Sequence, residues 1–86
     1  MSRYTVEWRP DAEDELMVIW MQAADRAAVT AADAAINRLL ANDPANAGVP
    51  VAEGLRKVKV VPLQAYFSID HARALVEVSH VVRCVP

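Results

Sequence analysis

The sequence is poor in the residues on which several kinds of site depend. Cys84 is the only cysteine among 86 residues, so no disulfide can form within the chain, as is usual for a protein of a reducing compartment. The chain also lacks a glycine-rich phosphate loop, a metal-ligand spacing of Cys and His, and a nucleophile motif. We therefore expect neither a cofactor nor a metal ion.

Long apolar runs are missing too. No stretch approaches the roughly 18 apolar residues that a membrane helix needs. The segment from Met1 to Glu7 has no apolar core of a secretory signal, so we expect a cytoplasmic protein without a membrane partner. The net charge is −2, whereas proteins that bind nucleic acid non-specifically are usually basic. Any role on nucleic acid therefore needs a local basic face.

What remains is a globular composition. The hydrophobic fraction is 55% and the charged fraction 23%, which excludes a disordered chain. A chain of 86 residues is expected to form one domain over residues 1–86. A domain of this size buries about 60–65% of the surface of its unfolded chain, which is enough for one modest core.

The stretch from Gly54 to Arg83 predicts three strands. Its β-branched runs alternate with period two and are interrupted at Val61-Pro62 and at Asp70–Arg73, which favours an antiparallel meander. The alternation predicts a core face of Val58, Val60, Leu63, Ala65, Phe67, Ile69, Val76, Val78, His80 and Val82. It predicts a solvent face of Lys57, Lys59, Tyr66, Ser68, Glu77, Ser79 and Arg83.

The first half of the chain predicts one strand and two helices. Tyr4–Trp8 alternates as a strand, and a helix is expected from about Ala12 to Ala23 or Ala24, with Asp11 as its N-cap. After a break at Asp25, a second helix is expected from about Arg26 to Ala41, followed by a loop over residues 45–53. The sequence therefore predicts an α+β two-layer sandwich, β-α-α-β-β-β, with a helical hairpin on one face of a four-stranded antiparallel sheet.

The first helix carries more apolar surface than one stripe requires. Trp20 shares a helix face with Leu16, Ile19 and Ala23, so it is expected in the core. Three further apolar residues lie elsewhere on the helical wheel: Met17, Val18 and Met21. Adaptable methionines suit binding surfaces, so these three predict a patch for a partner protein.

The order of the elements resembles the RelE/ParE superfamily of toxin–antitoxin toxins, which includes plasmid-stabilisation proteins. The resemblance covers nearly the whole chain. It rests on Tyr4–Trp8 followed by Pro10-Asp-Ala-Glu-Asp-Glu-Leu16, on Leu39-Leu40 with Asp43-Pro44, on Leu55-Arg-Lys-Val58, on Tyr66-Phe-Ser-Ile-Asp70, and on Ala74-Leu-Val-Glu-Val78 with Arg83. The family implies a sheet in which the last strand lies beside the first, and an antitoxin that wraps around the toxin.

Two activities are implied by this resemblance. RelE-like members cleave messenger RNA in the ribosome without a metal, through basic residues and often a tyrosine on the open sheet face. On that reading the site residues here are Lys57, Lys59, Tyr66 and Arg83. ParE-like members inhibit DNA gyrase, and Gln64, where an arginine would help bind phosphate, keeps this alternative open. A third alternative is a non-enzymatic binding module that has lost the active face, since lysines on an edge strand also deter strand addition.

Overall fold

Two α-helices cover one face of a five-stranded sheet in residues 3–84, the part of the chain that the computed structural model describes. The elements are β1 (Thr5–Trp8), α1 (Pro10–Gln22), α2 (Arg26–Asn42), β2 (Val49–Ala52), β3 (Leu55–Val60), β4 (Leu63–Asp70) and β5 (Leu75–Arg83). The predicted α+β two-layer fold, with a helical hairpin on one face of the sheet, is therefore confirmed.

The sheet differs from the prediction in the number and direction of its strands. The strand order is β1-β5-β4-β3-β2, and β2 to β5 form an antiparallel meander. β1 lies beside β5, as the resemblance implied, but it runs parallel to it, with Val6 opposite Val76. The prediction of a four-stranded, wholly antiparallel sheet was therefore wrong in the number of strands and in the direction of β1. Parallel neighbours need a long crossover, and here the connection contains both helices and three strands.

The additional strand is β2, in the stretch predicted to be a loop. Pro50 and the lack of period-two alternation conceal it in the sequence, and proline is tolerated because β2 is an edge strand. Gly48 precedes it with φ of +128°, and a Cβ at this position would overlap the carbonyl oxygen of Lys57. Only glycine allows the backbone to approach β3 this closely.

The helix boundaries follow the expected signals with one exception. Asp25 caps α2, because its carboxylate accepts a hydrogen bond of 3.0 Å from the backbone N–H of Ala28. α1 begins earlier than predicted, with Arg9 at the N-cap and Pro10 in the first turn. Proline is well placed there, since its missing N–H would have no helical partner. Asp11 is therefore not the cap but lies inside the first turn, where its charge complements the helix dipole.

The core lies between the helices and the covered face of the sheet. Its buried side chains include Ala12 and Ile19 from α1, Val29, Ala32, Ile36 and Leu40 from α2, and Val58, Leu63, Ala65, Phe67, Val76, Val78 and Val81 from the sheet.

Trp20 is not among these core residues, contrary to the prediction, because it is 41% exposed. Its Nε1 donates to Thr30 Oγ1 over 3.3 Å, and the Arg26 guanidinium lies 4.6 Å from the ring centre. Trp20 thus lies at the surface end of the helical hairpin.

A β-bulge in β5 changes which residues face the core. Tyr66 is opposite His80 whereas Phe67 is opposite Val78, so Ser79 is an extra residue in β5. Beyond a bulge every following side chain moves to the other face. Val81 is accordingly buried and Val82 exposed, which reverses the prediction for His80, Val81 and Val82.

Candidate functional site

The sheet face that the helices leave uncovered, called the open face below, carries the predicted basic residues. β3 and β4 are paired so that Lys57 is opposite Tyr66 and Lys59 is opposite Gln64. These side chains share one face because alternate residues of each strand point the same way. The core residues Val58 and Ala65 lie between them on the other face. The structure thus brings together three of the four predicted catalytic residues.

Two rows of side chains cross the open face. The first row contains Lys57, Tyr66 and His80 on β3, β4 and β5, and the second contains Lys59, Gln64 and Val82. The rows are joined on β4, where the Gln64 amide donates a 2.9 Å hydrogen bond to the Tyr66 hydroxyl. This contact fixes the phenol oxygen beside the second row. Lys57 and Tyr66 are half-buried, whereas Lys59 and His80 are exposed.

Arg83, the fourth predicted residue, does not belong to this face. It is opposite Leu63, which is fully buried, so the register places Arg83 on the helix-covered side at the end of β5. There it lines a groove between α1 and β5 together with Asp14 and Val18. The expectation that it shares a face with the lysines was wrong because the bulge at Ser79 inverts the last part of the strand.

His80 takes the place on the open face that the sequence did not assign to it. Regular alternation puts it in the core, but the bulge places it opposite Tyr66 with 60% of its side chain exposed. Its Nδ1 lies 3.4 Å from Glu15 Oε1, an oxygen that also accepts a 3.2 Å hydrogen bond from the backbone N–H of Val81. No local pattern marks a single inserted strand residue, so only the pairing reveals this contact.

Charge is divided along the open face. The β1 side carries two acids, since Glu7 lies opposite Glu77, and one of them is paired, because the Arg9 Nη1 is 3.4 Å from Glu77 Oε1. The β3 side carries Lys57 and Lys59. A basic region therefore exists on a chain whose net charge is −2, which is the local arrangement that a role on nucleic acid requires.

The predicted partner patch on α1 is exposed. Met17 is 60% exposed, Val18 51% and Met21 59%. The patch forms a ridge between two grooves, because Met17 lines a groove between α1 and α2 while Val18 lines the groove between α1 and β5. Exposed large apolar side chains that lie together indicate a surface for another protein.

The groove between α1 and α2 has a volume of about 450 Å³ and contains a short polar chain. The Trp8 indole N–H donates to Asn37 Oδ1 over 2.9 Å, and the Asn37 amide donates to Asp33 Oδ1 over 3.1 Å. Burial raises the pKa of Asp33, and the hydrogen bond from Asn37 partly opposes this shift. These hydrogen bonds hold β1 against α2. They also place in the groove one carboxyl group, that of Asp33, whose pKa is raised.

Two further features of residues 3–84 concern metal ions and membranes. That range contains no group of three or more Cys, His, Asp or Glu side chains placed to hold a metal ion. Neither α1 nor α2, the helices of the described range, is long and apolar enough to cross a membrane.

The similarity of this chain to known proteins lies in its fold. No protein-family model and no curated protein sequence matches it. A chain of the RelBE2 toxin–antitoxin complex of Mycobacterium tuberculosis is 19% identical, with a TM-score of 0.80 over 96% of this chain and 93% of its own. A chain of the chromosomal ParDE system of P. aeruginosa is 15% identical, with a TM-score of 0.74 over 95% and 97%.

The isolated E. coli RelE toxin shows whether the chain resembles the toxin or the antitoxin of these complexes. It is 13% identical and has a TM-score of 0.68 over 96% of this chain and 86% of its own. Because RelE was solved there without its antitoxin, the likeness is to the toxin. The likeness spans 96% of this chain, so it includes the helical hairpin, the meander and the adjacent strands β1 and β5. The protein therefore has the fold of the RelE/ParE superfamily of toxins, as the sequence resemblance implied.

Proposed function

We propose that this protein is the toxin of a type II toxin–antitoxin system and that it cleaves messenger RNA on the ribosome. The proposal is supported by the likeness to RelE over 96% of the chain. The main observation in favour of RNA cleavage is the position of two lysines on the open face. Lys57 is paired with Tyr66 and Lys59 with Gln64, on a sheet face that no helix of residues 3–84 covers. Such a target places the protein in the cytoplasm.

The chemistry of the open face suits a phosphodiester. Two ammonium groups beside a phosphate stabilise the negative charge that develops as its phosphorus is attacked, which is the largest catalytic contribution in many enzymes. Tyr66 offers a flat ring on which an unpaired base can stack, as single-stranded RNA is commonly held. The lysines thus bind and stabilise the phosphate while Tyr66 orients the nucleotide next to it.

RNA cleavage on translating ribosomes tests this function. Lys57→Ala and Lys59→Ala should each lower the cleavage rate about 100- to 1,000-fold, the usual effect of losing one electrostatic donor. Arg73→Ala is the matched control, because it removes a cation from the exposed turn between β4 and β5. Primer extension on the messenger RNA measures the rate. Equal cleavage by the wild type and both lysine variants would reject the site.

Gyrase inhibition is the second candidate, and the ParDE likeness favours it. The TM-score to the ParDE chain is 0.74, between 0.80 for the RelBE2 chain and 0.68 for isolated RelE, and Gln64 supplies no charge to the second row. A DNA supercoiling assay with purified gyrase separates the two functions. Inhibition of supercoiling without RNA cleavage would establish the ParE-like activity, and the absence of both would establish a non-enzymatic binding module.

The proposed partner is an antitoxin whose apolar segment covers Met17, Val18 and Met21. The patch is bordered by Asp14 and Glu15, so basic residues beside the apolar anchors of that segment would complement it. Val18→Ser combined with Met21→Gln should weaken binding at least about tenfold, since such anchors each contribute more than about 1 kcal/mol.

The candidate to test by titration calorimetry would be a small DNA-binding protein encoded beside this one. Val49→Ser provides the control, because Val49 is similarly exposed, at 53%, on the distant edge strand β2. An unchanged affinity of the double variant would remove α1 from the interface. An equal loss in the Val49 variant would show that the effect is not local.

A further inference from the structure

We propose that the groove between α1 and α2 binds a small organic cation, with its ammonium group at the Asp33 carboxylate and its apolar body along Leu16 and Trp20. The groove lies between the two helices, on the covered side of the sheet, whereas the lysines lie on the open face. The inference therefore does not rest on the proposed RNA cleavage. The volume of about 450 Å³ falls within the range of roughly 300–1,000 Å³ that small-molecule sites occupy.

The groove is a slot whose two ends are each closed by a tryptophan. Along its walls, α1 contributes Glu13, Leu16 and Trp20, and α2 contributes Thr30, Asp33 and Asn37. Side chains at these spacings share one face of a helix, so each helix presents a continuous stripe to the groove. Trp8 is bonded to Asn37 at the end near the start of α1, and Trp20 is bonded to Thr30 at the end near the helical turn. Each wall thus carries one acid between the aromatic ends.

The N–H donors of the groove are already in use. The indole N–H of Trp8 donates to Asn37 Oδ1 over 2.9 Å, and that of Trp20 donates to Thr30 Oγ1 over 3.3 Å. The Asn37 amide donates twice to Asp33, over 3.0 Å to the backbone oxygen and over 3.1 Å to Oδ1. These three side chains carry all the side-chain N–H groups that line the groove among the described residues. An anion would therefore find no free N–H group to hold it.

The carboxylates of the groove have no cationic partner. Within residues 3–84, neither Glu13 nor Asp33 forms an ion pair, and Asp33 Oδ2 accepts no hydrogen bond. None of the described lining residues is a lysine, arginine or histidine. Arg26 lies over the Trp20 ring, but its guanidinium donates to the backbone oxygens of Trp20 and Met21. Burial raises the pKa of Asp33, which is the effect expected of a carboxylate whose charge is poorly compensated.

These properties favour a cation that also carries hydrocarbon. An ammonium group donates charge-assisted hydrogen bonds to a carboxylate, and such bonds are strengthened where the site is partly buried. The walls beside Asp33 are apolar or aromatic, and a small inorganic ion would leave them uncovered. An organic cation fills both needs, because its body packs on Leu16 and Trp20 while its charge meets Asp33. Glu13 adds negative potential from the facing helix.

A titration of the full chain with 2-phenylethylammonium chloride tests the site. The indole N–H signals of Trp8 and Trp20 in ¹H–¹⁵N NMR spectra report on the two ends of the groove, and both should shift to saturation. The neutral analogue 2-phenylethanol should bind at least about tenfold more weakly, the effect of losing one charge-assisted hydrogen bond. Ethylammonium keeps the charge but lacks the ring, so it should also bind at least about tenfold more weakly.

Asp33→Asn removes the charge but keeps an oxygen for Asn37, so the groove should retain its shape. It should bind 2-phenylethylammonium at least about tenfold more weakly and 2-phenylethanol as well as the wild type does. Glu13→Gln should weaken the cation by a smaller factor, because Glu13 contributes only its potential. Asp14→Asn is the matched control, since it removes the same charge from a residue of α1 that lines the groove on the β5 side. Its affinity should stay within about twofold of the wild type at about 0.15 M salt, where distant charges are largely screened.

The outcomes decide for or against the site. Preferential binding of the cation that is lost in Asp33→Asn and kept in Asp14→Asn supports it. Equally tight binding of 2-phenylethanol would show an apolar slot without charge selection and would overturn the assignment. Equal losses in Asp33→Asn and Asp14→Asn would also overturn it, because they would show attraction to the negative chain as a whole. Indole signals that do not move would overturn the site but not the RNA cleavage, which is measured separately on ribosomes.

Discussion

Phe67 and Tyr66 are neighbours on β4, yet they belong to two different surfaces. Phe67 is fully buried under the helices, whereas Tyr66 is half-buried on the open face, where its hydroxyl accepts from Gln64. One face of the sheet thus forms the core, and the other is the face on which the RNA-cleaving site is proposed. Because side chains alternate, the two functions are separated by a single peptide unit.

A second contrast lies along β5. Its first part pairs on both sides, with β1 and β4, and buries Val76 and Val78. Its second part pairs only with β4 among the described residues, and its other edge meets Glu15 of α1. The bulge lies between the two parts. Bulges are common beside sites because they aim a side chain where regular alternation would not.

The largest effect should come from the contrast within β4. Phe67→Ala should lower the free energy of unfolding by about 3–5 kcal/mol, the usual cost of deleting a buried aromatic ring. Tyr66→Ala should cost only about 1 kcal/mol, because it loses one hydrogen bond and partial packing. Urea denaturation of both variants measures this. Equal losses would mean that the open face is covered in solution.

A smaller effect should distinguish the two parts of β5. Val81→Thr puts a hydroxyl into the core at nearly constant shape and should cost about 1–3 kcal/mol. Val82→Thr should change stability by less than about 0.5 kcal/mol, since Val82 is exposed on the open face. Thermal unfolding gives both values. The reverse order would restore the unbulged register and return His80 to the core.

The smallest effect concerns Asp33, in the groove rather than in the sheet. Burial raises the pKa of Asp33 in the folded state, so its ionised form at neutral pH opposes folding. Asp33→Asn keeps an oxygen for Asn37 and should slightly raise the melting temperature at pH 7. The gain should shrink as the pH falls toward the ordinary aspartate pKa of about 3.9, where the native carboxyl is also neutral. A gain that does not depend on pH would contradict the burial effect.

Much of the candidate site could be predicted from alternation alone. Lys57, Lys59 and Tyr66 share a face because β3 and β4 are regular, and the hairpin between them is short. Arg83 and His80 could not be placed, since their faces depend on one extra residue, Ser79, whose presence is visible only in the pairing with β4. Trp20 was assigned to the core by helical position, but the end of the helical hairpin leaves it at the surface.

By itself, the sequence determined the order and type of most elements. Helical spacing, capping by Asp25 and period-two alternation are local properties, so they could be recognised without the folded chain. The tertiary structure alone decided the parallel pairing of β1 with β5, the edge strand β2 and the bulge that presents His80 to the open face. Each of these depends on hydrogen bonds between residues far apart in the chain, and no local pattern encodes the register of such pairs.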